Sequence, residues 1–377
     1  MAACEQHEMI RDTVRRFARA HLMPNAAQWD REHLFPREAL SQIGAMGLMG
    51  VAIPEAHGGA GMDHTSLAIV IEELAAGDGA TSTIVQVNNL VAGILLGNAS
   101  AGQKTQWLRP IASGGMLGAF ALTEPHTGSD ASALATRAER CEDGWRLNGV
   151  KQFITSGKNA EMAIVFAVSD RTAGKKGISA FIVPTRSPGY RVARVEEKSG
   201  QHASDTAQIV LENCVVGADH LLGAAGLGYR IALSNLESGR INVAAQSVGM
   251  AQSALDAALA YAHERRSFGK PLIEHQAVNF RLADMATQIE AARQLYLYAA
   301  RLRDDGAPCL KEASMAKLFA SEMAERVCSD AIQIHGGYGY VSDFPVERIW
   351  RDVRVTKIYE GASDIQRLVI GRALAAR

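Results

Sequence analysis

The sequence predicts an α+β protein of three domains. These are an N-terminal helical domain over 1–116, a middle β-barrel over 117–225 and a C-terminal four-helix bundle over 226–377. Three observations carry this. The chain has 377 residues, enough for two or three domains at roughly 150 residues each. Its hydrophobic pattern changes from helical to alternating near residue 117 and back again near 226. Its composition, 47% apolar and 21% charged, is that of an ordinary globular protein.

In the first region Glu8 to His21 is charged and amphipathic. Pro36 opens a helix running to about Met46, as proline does in a first helical turn. Leu48 to Met62 reads as a loop, marked by Pro54 and Gly58-Gly59-Ala60-Gly61. Helices follow at Thr65 to Ala76, Thr83 to Leu96 and Gly102 to Ala112. The second of these is apolar almost all round, which predicts burial.

The middle region holds short strands. Leu117 to Thr123, Met162 to Val168 and Ile178 to Val183 are apolar runs. Tyr190 to Val195 and Gln208 to Leu211 alternate, and Glu142-Asp143-Gly144 is a turn between two alternating segments. Six or more strands in about 100 residues suggest a barrel or sandwich. In the third region Val278, Leu282, Met285, Ile289, Ala292, Tyr296 and Ala299 form a seam for antiparallel helix packing. Gly306-Ala307-Pro308 breaks it, and a new helix runs from about Leu310 to Ile334.

Several functions are excluded. Lys plus Arg is 39 against 40 Asp plus Glu, a net charge of -1, so a basic nucleic-acid groove is not expected. No apolar run approaches the 18 residues a membrane span needs. The first residues, charged from Glu5, show no signal-peptide core. The five cysteines form no Cys-x-x-Cys pair, and free thiols in a reducing, cytoplasmic compartment are expected. No P-loop, Rossmann glycine triplet, zincin helix or Gly-x-Ser-x-Gly elbow occurs, and no metal site is expected. Ser314-Met-Ala-Lys317 has the spacing of a Ser-x-x-Lys nucleophile but lacks the companion motifs. It reads as part of an amphipathic helix.

Four segments point to chemistry: Phe120 to Asp130 (FALTEPHTGSD), Lys151 to Gly157 (KQFITSG), Glu264 to Gly269 (ERRSFG) and Ile358 to Gln366 (IYEGASDIQ). A fifth, Gln333 to Tyr340 (QIHGGYGY), lies between the last two. Taken alone, the first is a strand ending in a turn, the second a strand with an outward Thr, and Arg265 a solvated helix-end arginine. In this order and spacing the five closely resemble the acyl-CoA dehydrogenase family of flavoproteins, nearest to its short-chain and branched-short-chain members. The resemblance covers essentially the whole chain.

What it implies is specific. Phe120, Leu122 and Thr123 would hold the pyrimidine edge of FAD, with Ser129 serving the cofactor or the acyl-CoA. Phe153, where many relatives have Trp, would shield one flavin face beside Ile154, and Thr155 would reach the N5 and O4 region. Arg265 would bind the pyrophosphate of a neighbouring subunit's FAD, a task suited to a guanidinium fork. Phe268, His275, Gln276, Gln333, Gly336 and Gly337 would join it. Such shared sites imply a homotetramer, a dimer of dimers. His126 stands where the family commonly has Gly, and Ala362 where it has Thr. Ala362 and Asp364 would lie near the cofactor. Leu236, Glu237, Arg240, Tyr359 and Gly361 would meet the substrate.

Glu360 would be the base of an α,β-dehydrogenation. It would take the α-proton of an acyl-CoA thioester while the β-hydride goes to the flavin. In the family the enolate charge is stabilised by a ribityl hydroxyl and the glutamate's own N–H. An apolar pocket should raise the pKa of Glu360 toward the range where a base works well. Some relatives carry the base on the long helix instead; the matching position here is Gly239, which leaves Glu360 alone. Electrons would pass to an electron-transferring flavoprotein. The alternatives are an acyl-CoA oxidase or other flavin oxidase on the same fold, or a flavin-bearing protein of the DNA-damage response.

Overall fold

The computed structural model describes residues 2–376, with side chains from Glu5 onward. The N-terminal helix is longer than its amphipathic stretch. Ala2–Phe17 runs through a π turn at Ala18–Leu22 into Met23–Glu32. Pro24 sits in the first turn of the last piece, where its missing N–H is not needed. Asp63 caps His64–Gly77 by accepting from Ser66 N at 2.6 Å. Asp78 caps Gly79–Asn98 by accepting from Thr81 N at 2.7 Å.

Gly79–Asn98 is buried along most of its length, as its nearly all-round apolar pattern predicts. By length and composition this 20-residue helix could cross a membrane. Thr83, Gln86 and Asn88 interrupt its apolar run. It is a core helix: 83% of its apolar window is buried. Asn88 and Asn89 satisfy carbonyls of the preceding loop, Nδ2 of each donating at 3.0 Å to Met49 O and Leu48 O.

The middle domain is one eight-stranded sheet. Its strands are β1 (Gly118–Ala121), β2 (Arg137–Cys141), β3 (Gly144–Thr155), β4 (Met162–Val168), β5 (Ile178–Pro184), β6 (Tyr190–Val195), β7 (Thr206–Val216) and β8 (Leu221–Leu222). The order is β6-β7-β3-β2-β4-β5-β8, with β1 parallel to β4. The two halves join at one register pair, Arg137↔Val168. The sheet therefore folds on itself about that joint, and Trp145 of β3 meets Phe181 of β5 edge-on at 5.2 Å. β4 and β5 are buried along most of their length, which their continuous apolar runs require.

In the C-terminal region Leu236–Glu264, Gln276–Asp304 and Leu310–His335 pack together, and Ser363–Ala375 lies along the last of them. Leu282, Met285, Ile289, Ala292, Tyr296 and Ala299 of the expected seam are buried. The N-terminal helix His64–Gly77 packs on Leu236–Glu264 at Gly249, where a Cβ would lie 2.0 Å from Glu72 O. Glu72 accepts from Arg11 at 3.2 Å, from Arg293 at 2.8 Å and from the Tyr296 hydroxyl. This buried carboxylate ties the first helix to the bundle. Cys141, Cys214, Cys309 and Cys328 are free thiols; the side chain of Cys4 lies outside the described residues.

Candidate active site

The first cluster lies where β1 ends beside β3. Gln152 N donates to Thr123 O at 2.9 Å, which sets Thr123 next to Phe153. A buried ion pair supports this edge. Lys151 Nζ reaches Glu124 Oε1 at 2.7 Å and Leu122 O at 3.0 Å. Glu124 also accepts from Ala135 N at 2.7 Å and Thr136 N at 3.1 Å. Burial pushes Lys151 down to about 8 despite Glu124 beside it. Burial acts to raise Glu124, but Lys151 and the N–H donors outweigh it and hold the carboxyl low.

Phe153 is the unusual residue here. It has φ +59° and is 63% exposed. The β3–β7 register shifts between Lys151 and Ile154, and an irregularity of that kind re-aims a side chain. A bulky residue in the left-handed region is costly and concentrates at functional sites. Ile154 is buried in the core. Phe120 is half-buried against Phe166, with ring centroids 5.1 Å apart. An exposed aromatic face beside the hydroxyl-bearing Thr123 and Thr155 fits a flat heteroaromatic ring with polar edges. Ser129 is exposed in the following loop. His126 bonds Ala133 O at 3.0 Å and so belongs to that loop's own structure.

The second cluster surrounds Glu360. The chain enters through Tyr359 and leaves through Gly361 into Ser363–Ala375. Glu360 has φ +52° and Gly361 φ +91°. Their carbonyls are clamped: Gln366 Nε2 donates to Glu360 O at 3.1 Å and Gly361 O at 2.8 Å, and Lys317 Nζ to Gly361 O at 2.8 Å. Glu360 Oε2 is buried without a hydrogen-bond partner. Burial raises its pKa, opposed by Arg240 and Lys317. Gly239 lies directly against the carboxylate.

Arg240 is buried, and its Nη1 donates to Ser314 Oγ at 3.1 Å. Glu237 pairs with Arg303 at 3.3 Å and meets Cys309 Sγ at 3.6 Å, so it is engaged within the protein. Leu236 is half-buried at the start of the same helix. Ala362 precedes Ser363–Ala375 without a side-chain cap, and exposed Asp364 bonds Arg367 at 3.0 Å. Tyr359 donates its hydroxyl to Gln246 Oε1. Gln246 Nε2 contacts Ser82 Oγ at 2.9 Å and Thr83 Oγ1 at 2.7 Å. Thr83 Oγ1 in turn donates to Gln201 Oε1 at 2.7 Å. This chain of bonds joins all three regions behind Glu360.

A third group stands apart on the bundle surface. The hairpin Arg266–Ser267 with Lys270–Pro271 carries Phe268 at its tip, with φ +50° and 95% exposure. His275 bonds Ser267 O at 3.0 Å, and its ring meets Phe268 edge-on at 6.2 Å. The Arg265 guanidinium sits 5.8 Å from the Tyr338 ring. Gln276, Gln333, Gly336 and Gly337 are exposed, and a Cβ on either glycine would meet nothing within 4 Å.

Sequence reasoning missed Lys151–Glu124, Gln246, Lys317 and Gln366. Lys317 carried a signal: it occupies the face shared by Ala313, Ala316 and Ala320, where a charge is out of place. Among the described residues no three His, Cys, Asp or Glu gather for a metal.

Comparison with known proteins identifies the family. The N-terminal, middle and C-terminal domain models of acyl-CoA dehydrogenase match residues 4–115, 119–214 and 226–375. The human short-chain specific acyl-CoA dehydrogenase, a mitochondrial protein, is 48% identical over 97% of this chain and 89% of its own length. Butyryl-CoA dehydrogenase from Megasphaera elsdenii superposes with a TM-score of 0.95 at 39% identity, covering 98% of both chains. A chain in the structure reported for the electron-transferring flavoprotein of Acidaminococcus fermentans gives 0.97 at 43% identity, covering 99% of this chain and 98% of that one. Matched along nearly its whole length by all three domains, this chain belongs to the acyl-CoA dehydrogenase family, a family of oxidoreductases.

Proposed function

We propose that this acyl-CoA dehydrogenase converts short-chain or short branched acyl-CoA to the trans-2-enoyl-CoA, with Glu360 as base and FAD as cofactor. The carrying observation is the Glu360 carboxylate: buried, unpartnered at Oε2 and raised in proton affinity. A carboxylate lacking its own hydrogen bonds is disposed to take a proton. Its backbone N–H would be the donor to the thioester oxygen. Phe153, Thr123 and Thr155 would hold the flavin ring, and Arg265 a neighbour's pyrophosphate. When bound, FAD supplies the acceptor for the β-hydride.

The short-chain reading rests on Gln246. It lies seven residues beyond Gly239 on the same helix face, about 10 Å deeper at 1.5 Å per residue. There it is bonded to Ser82, Thr83 and Tyr359. A long apolar chain following that helix would have to break these buried bonds. The exposed hairpin bearing Phe268 supports a homotetramer, and the likeness to the Acidaminococcus chain supports an electron-transferring flavoprotein as acceptor. Free thiols fit a cytoplasmic setting. The test is anaerobic flavin reduction by butyryl-, hexanoyl-, octanoyl-, isobutyryl- and 2-methylbutyryl-CoA. Butyryl, hexanoyl or a branched substrate should bleach fastest; fastest bleaching by octanoyl-CoA, or none by any, contradicts the reading.

A further inference from the structure

Ser314-Met-Ala-Lys317 lacks the companion motifs of a nucleophile, yet its two polar ends bond Arg240 and Gly361, both beside Glu360. The two ends are three residues apart, on one face of Leu310–His335. Ser314 Oγ accepts from Arg240 Nη1 at 3.1 Å while donating to Leu310 O at 2.7 Å. Lys317 is wholly buried, and its Nζ donates to Gly361 O at 2.8 Å.

A buried ammonium is costly unless an anion balances it. The charges facing Lys317 are Glu360 from the loop, Arg240 from Leu236–Glu264 and Glu322 from its own helix. Glu322 is already bridged to Lys357 at 2.8 Å. Glu360, with Oε2 unpartnered, is the remaining anion and acts on Lys317 through space, without an ion-pair contact. Burial pushes Lys317 down to about 8, with Glu360 pulling it back up, so it is largely charged at neutral pH. The hydrogen bond falls on Gly361, next to a glutamate whose φ of +52° is unfavourable for a residue with a side chain.

We propose that Lys317 is a positioning residue for proton abstraction. Its charge holds Glu360 as a carboxylate, and its bond to Gly361 O fixes the left-handed Glu360–Gly361 turn. This rests on the reading of Glu360 as base and adds a second group to that site. Ser314 supports the same site from the next turn by anchoring Arg240.

The experiment uses the holoenzyme and Lys317→Met, Lys317→Gln and Lys317→Arg. Limiting flavin reduction by butyryl-CoA is followed against pH, with KM, and amide exchange is followed over residues 358–366. Loss of a nearby cation raises a carboxyl pKa. The acid limb should therefore move to higher pH in the Met and Gln variants, with KM little changed. Arg should restore it, and amide exchange should quicken in the Met variant. A wild-type limb and wild-type exchange in Lys317→Met overturn the proposal. So does failure of both neutral variants to fold, since that makes Lys317 structural. Glu360→Gln separates the two readings. If it reduces flavin normally, the base assignment falls; if it is inert while Lys317→Met matches wild type, only Lys317 falls.

Discussion

The Glu360 carboxylate occupies the space that a side chain at position 239 would take: a Cβ on Gly239 would lie 2.6 Å from Oε2 and 2.9 Å from the carboxyl carbon. Two segments about 120 residues apart in sequence thus share one volume, and a glycine on the helix is what lets the loop residue enter it. A side chain at position 239 would displace the loop carboxylate from where it now lies.

Gly239→Ala should therefore act on rate more than on stability. The atoms it meets are the end of a flexible side chain, so the fold should lose no more than about 1 kcal/mol. A displaced base is expensive; a misplacement of about 1 Å can cost about 100-fold. Thermal melting and single-turnover reduction measured on one preparation check this. A variant with wild-type reduction would show that Glu360 does not work from this position.

The raised proton affinity of Glu360 has two consequences of known sign. Reduction requires the carboxylate, so the rate should fall as pH drops through a value above the ordinary 4.5. In stability, the folded protein holds this proton more tightly than the unfolded chain does. The group's favourable contribution is present at low pH and is lost as pH rises. Glu360→Gln should accordingly be more stable than wild type at pH about 8, with the gap narrowing toward pH about 5. Melting temperatures at both values decide it.

Lys151→Met should destabilise the middle domain by about 3–5 kcal/mol, because Glu124 would be left buried without its cation. The Leu122–Thr123 edge should loosen with it, and FAD retention should drop. Adding Glu124→Gln should recover part of the loss, as measured by urea unfolding. No recovery in the double variant would mean that the pair is not the support of that edge.

Phe268 is 95% exposed at the tip of its hairpin, and the proposed shared site would cover it. Phe268→Asp and Arg265→Ala should weaken subunit assembly and FAD retention together, read by light scattering with flavin absorbance. A stable, FAD-replete monomer of wild type at low micromolar concentration contradicts the shared site.

Legibility in the sequence followed periodicity and stopped where long-range pairing begins. Met162–Val168 and Tyr190–Val195 could be bounded because their patterns are local. The seam on Gln276–Asp304 was equally plain. β3 was not visible as one 12-residue strand, because Gly149 and the bulge before Ile154 break its alternation. β7 runs past its alternating core because pairing with β3 extends it. In the site, Glu360, Phe153 and Arg265 stand out through their motifs. Lys151–Glu124 and Lys317–Gly361 do not: residues 27 and 44 apart in sequence meet only once the sheet and bundle have formed.

The central claim is that Glu360 takes the α-proton. Glu360→Gln keeps the shape and removes the base. Gly239 offers no substitute, and Glu237 is held by Arg303. Anaerobic mixing with butyryl-CoA in deuterated solvent measures flavin bleaching and α-deuterium exchange together. Loss of a general base is worth about 10²–10⁴ in rate. Wild type should bleach and exchange. The variant should bind, as a perturbed flavin spectrum will show, yet do neither at an appreciable rate. Exchange at a near wild-type rate in Glu360→Gln would contradict the account.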